Sequence, residues 1–217
     1  MENFFSSITN LFNKQSQSVL GIDIGSSSIK AVQLSRKNGH PVLDTYGELS
    51  LGPYAGKAIG EATNLPLEKI IEALNDMLKE KEVNITTRTC GIAIPFSSSL
   101  MAVMEVPLLA KKDLESMIPI EARKYIPVPI SEVQLDWFMI PKDKNENDIE
   151  PNAPADPNKP ALERAEVLIV ALHNETINNY KEIVNRTDLE ANFFEIEIFS
   201  TMRSVLDQEV VPVLIID

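Results

Sequence analysis

The sequence predicts a mixed α/β protein, and three observations carry this prediction. Short apolar runs such as Val19–Ile24 and Val167–Leu172 have the length and composition of strands buried in a sheet. Between such runs, segments like Pro66–Lys81 repeat their apolar residues at the helical period of about 3.6. The pair Asn38–Gly39 is a strong short-range signal for a tight β-hairpin. Strands, helices and hairpins therefore share one chain.

The overall composition excludes several classes of protein. The 217 residues carry 20 basic and 32 acidic side chains, a net charge of −12. No apolar stretch approaches the roughly 18–20 residues of a membrane-spanning helix. No basic run exceeds Lys111–Lys112, so nucleic acid is not an expected partner. Cys90 is the single cysteine, and His40 and His173 are the two histidines, which excludes a disulfide framework and a Cys/His zinc site. We therefore expect an acidic, cytoplasmic protein.

Residues 1–18 predict an amphipathic N-terminal arm. Its apolar residues recur with helical spacing on one face: Phe4, Phe5, Ile8, Leu11 and Phe12. The polar face lacks the Lys and Arg residues that hold a helix on anionic lipid. We therefore expect the arm to pack against the protein body or a neighbouring subunit in preference to a membrane surface.

The first part of the chain body continues as a three-stranded meander, a helix and a strand. The meander strands are predicted at Val19–Ile24, Ile29–Leu34 and Pro41–Leu51. The helix is predicted over Pro66–Lys81 with Asn64 as its N-cap. The strand Thr87–Pro95 follows, and Cys90 in it is expected to be a small core residue and not a nucleophile.

The pattern restarts at Phe96. The next predicted elements are the strand Leu100–Val106, the helix Lys111–Tyr125, the strand Val133–Ile140, a mobile proline-rich loop at Lys142–Leu162 and the strand Val167–Leu172. Pro119 predicts a kink in that helix, or two short helices. The chain then closes with the helix Thr176–Asn185, the strand Phe193–Ile198, a short helix around Met202–Leu206 and the strand Val210–Ile216.

The turn between the first two strands predicts a phosphate site. Gly25 lets the backbone approach a ligand closely, and the amides of Ser26, Ser27 and Ser28 can converge on phosphate oxygens. Lys30 could add a positive charge. Asp23, at the end of a buried strand, is placed to bind Mg²⁺ through water. The alternative is an ordinary Gly-Ser hairpin turn beside an exposed aspartate.

Two stretches carry a family resemblance. The run Gly21–Leu34, GIDIGSSSIKAVQL, is similar to the first phosphate loop of the actin, Hsp70 and sugar-kinase superfamily. The run Met117–Ile130, followed by Gln134–Trp137, closely resembles the type IV pilus assembly protein PilM, in which E-A-x-x-Y-I-P-x-P-I precedes a strand. The resemblance extends from Phe4 to Asp217.

The resemblance implies an actin-like (ribonuclease H-like) ATPase half. Subdomain 1A would comprise residues 19–95 and 174–217. The inserted strand-helix-strand-strand subdomain 1C, an SHS2 domain, would comprise 96–173 and contain the loop 142–162. The resemblance also implies ATP and Mg²⁺ as cofactors, with Asp217 as a second residue near the metal. The partner would be the cytoplasmic N-terminal tail of a PilN-like bitopic membrane protein, held in a groove between 1A and 1C, with self-association also open. The protein would then lie at the inner face of the cytoplasmic membrane.

Asp217 would open the family's second phosphate loop, whose remaining residues and whole domain 2 are absent from this sequence. A single-loop half should bind ATP weakly and hydrolyse it negligibly. Two other functions use the same superfold: a small-molecule kinase of the carbohydrate type, and an FtsA-like cell-division protein. The sequence assigns no catalytic residue and no partner-binding residue.

Overall fold

A computed structural model of the chain describes residues 18–140, residues 164–205 and Leu214. Residues 1–17 of the predicted N-terminal arm, the proline-rich loop, the last strand apart from Leu214, and Asp217 lie outside the described residues. The chain divides into two units, one formed by Met1–Ser98 with Glu175–Asp217 and the other by Ser99–Asn174. The assignment of these units to the subdomains 1A and 1C stays a prediction.

Strands and helices alternate along the described chain. The strands are β1 (Ser18–Ile24), β2 (Ser28–Lys37), β3 (His40–Ser50), β4 (Thr89–Ile94), β5 (Ser99–Pro107), β6 (Val133–Ile140), β7 (Arg164–His173) and β8 (Glu190–Ile196). The helices are α1 (Leu67–Lys79), α2 (Lys111–Glu121), α3 (Asn174–Arg186) and α4 (Glu197–Val205). This arrangement confirms the predicted α/β class.

The first unit contains a mixed five-stranded sheet in the order β3-β2-β1-β4-β8. The first three strands pair antiparallel, as the predicted meander requires, whereas β4 and β8 continue parallel to β1. The hairpin between β2 and β3 turns at Asn38 and Gly39, whose φ angles are 52° and 85°. Positive φ at both positions is the reason that an Asn-Gly pair favours this turn.

The two faces of this sheet differ in composition. Alternate residues of β1 point to opposite faces, so Leu20, Ile22 and Ile24 share one face, which we call the inner face, and Gly21 and Asp23 share the other, the outer face. The three inner-face side chains are buried.

Helices α1 and α3 cover the inner face. The ring of Tyr180 on α3 packs edge-on against Phe194, at 6.2 Å between centroids, and Phe194 is aligned with Ile92 and Ile22. Arg186 on α3 forms an ion pair with Glu68 on α1 at 2.6 Å, which joins the two helices.

The second unit is a three-stranded antiparallel sheet in the order β5-β7-β6, with α2 between β5 and β6 in the chain. The strand-helix-strand-strand order matches the prediction. Its core joins α2 to the sheet through Met104, Val106, Leu114, Ile118, Ala122, Ile126, Val133, Ala165, Val167, Ile169 and Ala171.

Helix α2 continues through Pro119 to Glu121, so of the two predicted outcomes the division into two short helices is wrong and the kink stays a prediction. Two other local predictions need correction. Pro66, and not Asn64, is the N-cap of α1. Helix α4 begins at Glu197, five residues before the predicted Met202, and an acidic residue in the first turn favours this start. None of the described helices is long and apolar enough to cross a membrane.

Candidate functional site

The turn that links β1 to β2 is closed by its own backbone. The N–H of Gly25 donates to the carbonyl of Ser28 at 3.0 Å. A Cβ atom at Gly25 would lie 3.2 Å from that oxygen, closer than ordinary van der Waals contact. Gly25 is not among the glycines with positive φ. Close approach of two backbone segments, and not a left-handed conformation, is therefore what requires glycine here.

A second loop fixes the orientation of this turn. The N–H of Leu51 donates to the carbonyl of Ser27 at 2.8 Å, and the N–H of Thr63 donates to the carbonyl of Ser26 at 2.8 Å. The hydroxyl of Thr63 donates to the same Ser26 carbonyl at 3.3 Å. In a trans peptide, the carbonyl and the following N–H point in opposite directions. The amides of Ser27 and Ser28 therefore point away from the 51–63 loop.

Asp23 and Lys30 flank the turn on the same face of the sheet. They are opposite each other in the β1–β2 register, and Glu48 on β3 is the next residue in that row. Lys30 is exposed and Asp23 is half-buried. Asp23 is thus adjacent to the predicted phosphate residues of the turn. The sequence alone already indicated this, because these residues are close together along the chain.

The pKa of the Tyr180 hydroxyl responds to two carboxylates, Asp23 and Glu197, that sequence reasoning did not connect. Burial is the main cause that raises the pKa of the Tyr180 hydroxyl above its usual range, and the charges of Asp23 and Glu197 raise it further. Glu197 also accepts the backbone N–H of Phe96 at 2.8 Å, so its carboxylate is held beside the end of β4. No sequence signal pointed to Glu197, because the alternating apolar pattern predicts a strand over this residue.

A buried carboxylate, Glu195, lies in the same row as Asp23. Glu195 on β8 is aligned with Ala93 on β4, and Ala93 with Asp23 on β1, so these side chains share the outer face. Arg203 on α4 holds both oxygens of Glu195 through two hydrogen bonds. These bonds are the main cause that raises the pKa of Arg203. Because Glu195 is neutralised in this way, Asp23 is the better placed of the two to meet a cation.

The predicted metal site is described only in part. Within residues 18–140 and 164–205, no group of three or more His, Cys, Asp or Glu side chains could hold a metal ion. The contact of Asp23 with Mg²⁺ through water stays a prediction. The participation of Asp217 stays a prediction. Cys90 is buried, and burial, aided by the charge of Glu190, raises the pKa of its thiol to about 12, as expected for a core residue.

The sheet order, the inserted second unit and the turn between the first two strands define an actin-like ATPase fold. The chain belongs to the family described as type IV pilus assembly protein PilM, whose model matches residues 21–212. This membership confirms the predicted resemblance to the PilM family.

Several solved structures are similar to this chain, and two of them are described here. A structure titled "PilM-PilN type IV pilus biogenesis complex" matches with a TM-score of 0.65 and 21% identity over 88% of this chain. The cytoplasmic domain of EpsL, an inner membrane component of the type II secretion system of Vibrio cholerae, matches with a TM-score of 0.50 and 12% identity over 84% of this chain. The chain spans 50% and 58% of the lengths of these two proteins.

Proposed function

We propose that this chain is a nucleotide-responsive component of type IV pilus assembly that recruits the N-terminal tail of a PilN-like membrane protein. The family supports the pilus role. The observation that supports nucleotide binding is the Gly25–Ser28 turn, whose carbonyls are bonded to the 51–63 loop and whose amides of Ser27 and Ser28 point the other way. The output is recruitment and assembly, and not turnover of a metabolite.

In this proposal each residue of the site has a distinct role. The amides of Ser27 and Ser28 and the Ser26 hydroxyl donate to phosphate oxygens, and Lys30 adds positive charge. Asp23 holds a water of the Mg²⁺ that accompanies ATP, and the ion would supply positive charge to the phosphates. ATP then favours the state that holds the partner tail, which places the protein at the inner face of the cytoplasmic membrane.

The nucleotide part is tested by replacing one carboxylate at a time. The thermal midpoint of the 217-residue chain is measured with ATP and Mg²⁺ up to millimolar concentrations, because we expect weak binding. Asp23→Asn should abolish the Mg²⁺-dependent part of the ligand-induced rise, since a neutral amide holds a metal-bound water less strongly. Glu48→Gln is the matched control, because it removes an exposed carboxylate from the same row of the same face. An equal rise in all three proteins would contradict the assignment of Asp23.

The partner is tested separately by calorimetry with a synthetic peptide that corresponds to the N-terminus of a PilN protein. We expect heat of binding with this peptide and none with a scrambled peptide of the same composition. Nucleotide control predicts tighter peptide binding when ATP and Mg²⁺ are present, and this difference should vanish in Asp23→Asn. Absence of binding under all conditions would overturn the recruitment role and leave the nucleotide result unaffected.

A further inference from the structure

Each end of the 51–63 loop holds one peptide unit of the turn that links β1 to β2. The carbonyl of Ser26 accepts the N–H of Thr63 at 2.8 Å, and the carbonyl of Ser27 accepts the N–H of Leu51 at 2.8 Å. The N–H on the other side of each planar peptide belongs to the following serine, and the proposed function assigns phosphate oxygens to these N–H groups. Each peptide unit therefore turns its carbonyl to the loop and its amide to the candidate site.

The loop is compact, so its two anchored ends are joined to each other. The backbone N–H of Lys57 donates to the carbonyl of Gly52 at 2.9 Å, and its ammonium group donates to the carbonyl of Ala62 at 2.9 Å. Gly52 follows the anchor Leu51, and Ala62 precedes the anchor Thr63. An added Cβ at Gly52 would lie 2.0 Å from a backbone oxygen of the same loop. We therefore expect the loop to dock on the turn, or leave it, as one unit.

Thr63 holds its peptide unit with two donors. Its N–H and its hydroxyl both donate to the carbonyl of Ser26, at 2.8 Å and 3.3 Å. Two donors on one carbonyl oxygen restrict the rotation of the planar peptide, and so the direction of the Ser27 N–H. Thr63 thus acts on the candidate site through the turn and does not itself donate to a phosphate.

Hydrogen bonds on the two sides of one peptide unit strengthen each other. When the N–H donates to an anion, the carbonyl of the same peptide becomes a better acceptor, because chains of hydrogen bonds polarise one another. By linkage, a docked loop favours phosphate binding as much as bound phosphate favours the docked loop. Residues 55–62 are all exposed, so few apolar contacts hold this part of the loop, and a ligand can change its docking measurably.

We propose that Thr63 is a positioning residue of the phosphate site and that phosphate binding controls the docking of the 51–63 loop. The inference rests on the proposed nucleotide binding and adds its regulation. Phosphate oxygens on the amides of Ser27 and Ser28 tighten the loop against the turn, and an undocked loop weakens the site. The group recognised is the phosphate chain of a nucleoside triphosphate with its Mg²⁺.

Hydrogen exchange of the 217-residue chain, resolved by residue with NMR, tests this coupling. ATP with Mg²⁺, at the concentration that gives the largest rise in thermal midpoint, should slow exchange at the amides of Leu51 and Thr63 at least roughly threefold. The amide of Asn84, bonded to the carbonyl of Glu80 outside the loop, is the control and should not change. A rise in thermal midpoint with unchanged exchange at both amides would overturn the inference and leave nucleotide binding standing. No rise at all would overturn both.

Variants of Thr63 separate positioning from a purely structural role. Thr63→Val keeps the shape and the N–H but replaces the hydroxyl, so it should weaken ATP binding in calorimetry roughly threefold to tenfold and reduce the slowing at Leu51. Thr63→Ser retains the hydroxyl and should restore both quantities. Ile59→Ala is the matched control, because this side chain is 83% exposed in the same loop, and it should leave both unchanged. A lower thermal midpoint of Thr63→Val without ATP, together with unchanged ATP affinity, would overturn the positioning role.

Discussion

The inner and outer faces of the five-stranded sheet are built from the same strands but have different tasks. On β1 the inner side chains Leu20, Ile22 and Ile24 are large, apolar and buried, whereas the outer positions after Val19 are Gly21 and Asp23. The inner face is covered by α1 and α3, and the outer face carries the charged row and the glycines. A single alternation of residues therefore gives the strand a buried apolar face and a face with a glycine and a carboxylate, and the two faces should respond differently to the same substitution.

The largest expected difference concerns loss of apolar volume. Ile92→Ala on the inner face should lower the free energy of unfolding by about 3 kcal/mol, because it leaves a cavity among fully buried side chains. Val32→Ala on the outer face should cost less than about 1 kcal/mol, since Val32 is already partly solvated. Denaturant unfolding of both variants measures the difference. Equal losses would mean that the outer face is covered as tightly as the inner one.

A smaller difference is expected within the outer face itself. Gly91→Ala should destabilise by about 1–3 kcal/mol, because its Cβ would overlap the Phe193 ring. Gly21→Ala, the next glycine in the same register row, should be close to neutral since its surroundings are open. Gly91→Ala combined with Phe193→Leu should recover part of the loss. If both glycine variants unfolded at the same denaturant concentration, the packing of Phe193 on Gly91 would be wrong.

The smallest expected effect is the pH dependence of folding stability that comes from Cys90 on the inner face. Burial raises the pKa of Cys90 to about 12, whereas an unfolded cysteine titrates near 8.5. The folded state thus retains the thiol proton that the unfolded state loses, so stability from this group is complete below pH ~8.5 and falls as pH rises towards 12.

At pH 9.5 the loss should be about 1 kcal/mol relative to pH 7, and Cys90→Ala should remove that part of the pH dependence. Unfolding of both proteins across this range measures the two slopes. Parallel slopes would show that the thiol titrates equally in both states and is not shielded as the structure indicates.

The success of the sequence predictions depended on how local each signal was. The Asn38–Gly39 hairpin and the amphipathic helix at 67–79 follow from neighbouring residues, and both were predicted. The start of α4 was missed because the alternating apolar pattern of β8 runs on past Glu197. Near the candidate site, Tyr180 and Glu197 were also missed. Their proximity to Asp23 depends on how β1, β4 and β8 align, which short-range patterns do not encode.

The sequence by itself determined the α/β class, the position of the phosphate-type turn and the family resemblance, because each depends on residues that lie close together in the chain. Tertiary structure alone decided which carboxylates accompany Asp23, and that Arg203 neutralises Glu195. It also decided that the Ser26 and Ser27 carbonyls bond to the 51–63 loop, which orients the amides that follow them. The physical reason is that strand register and loop docking join residues far apart in sequence, and only the packed fold brings their charges and hydrogen bonds within reach.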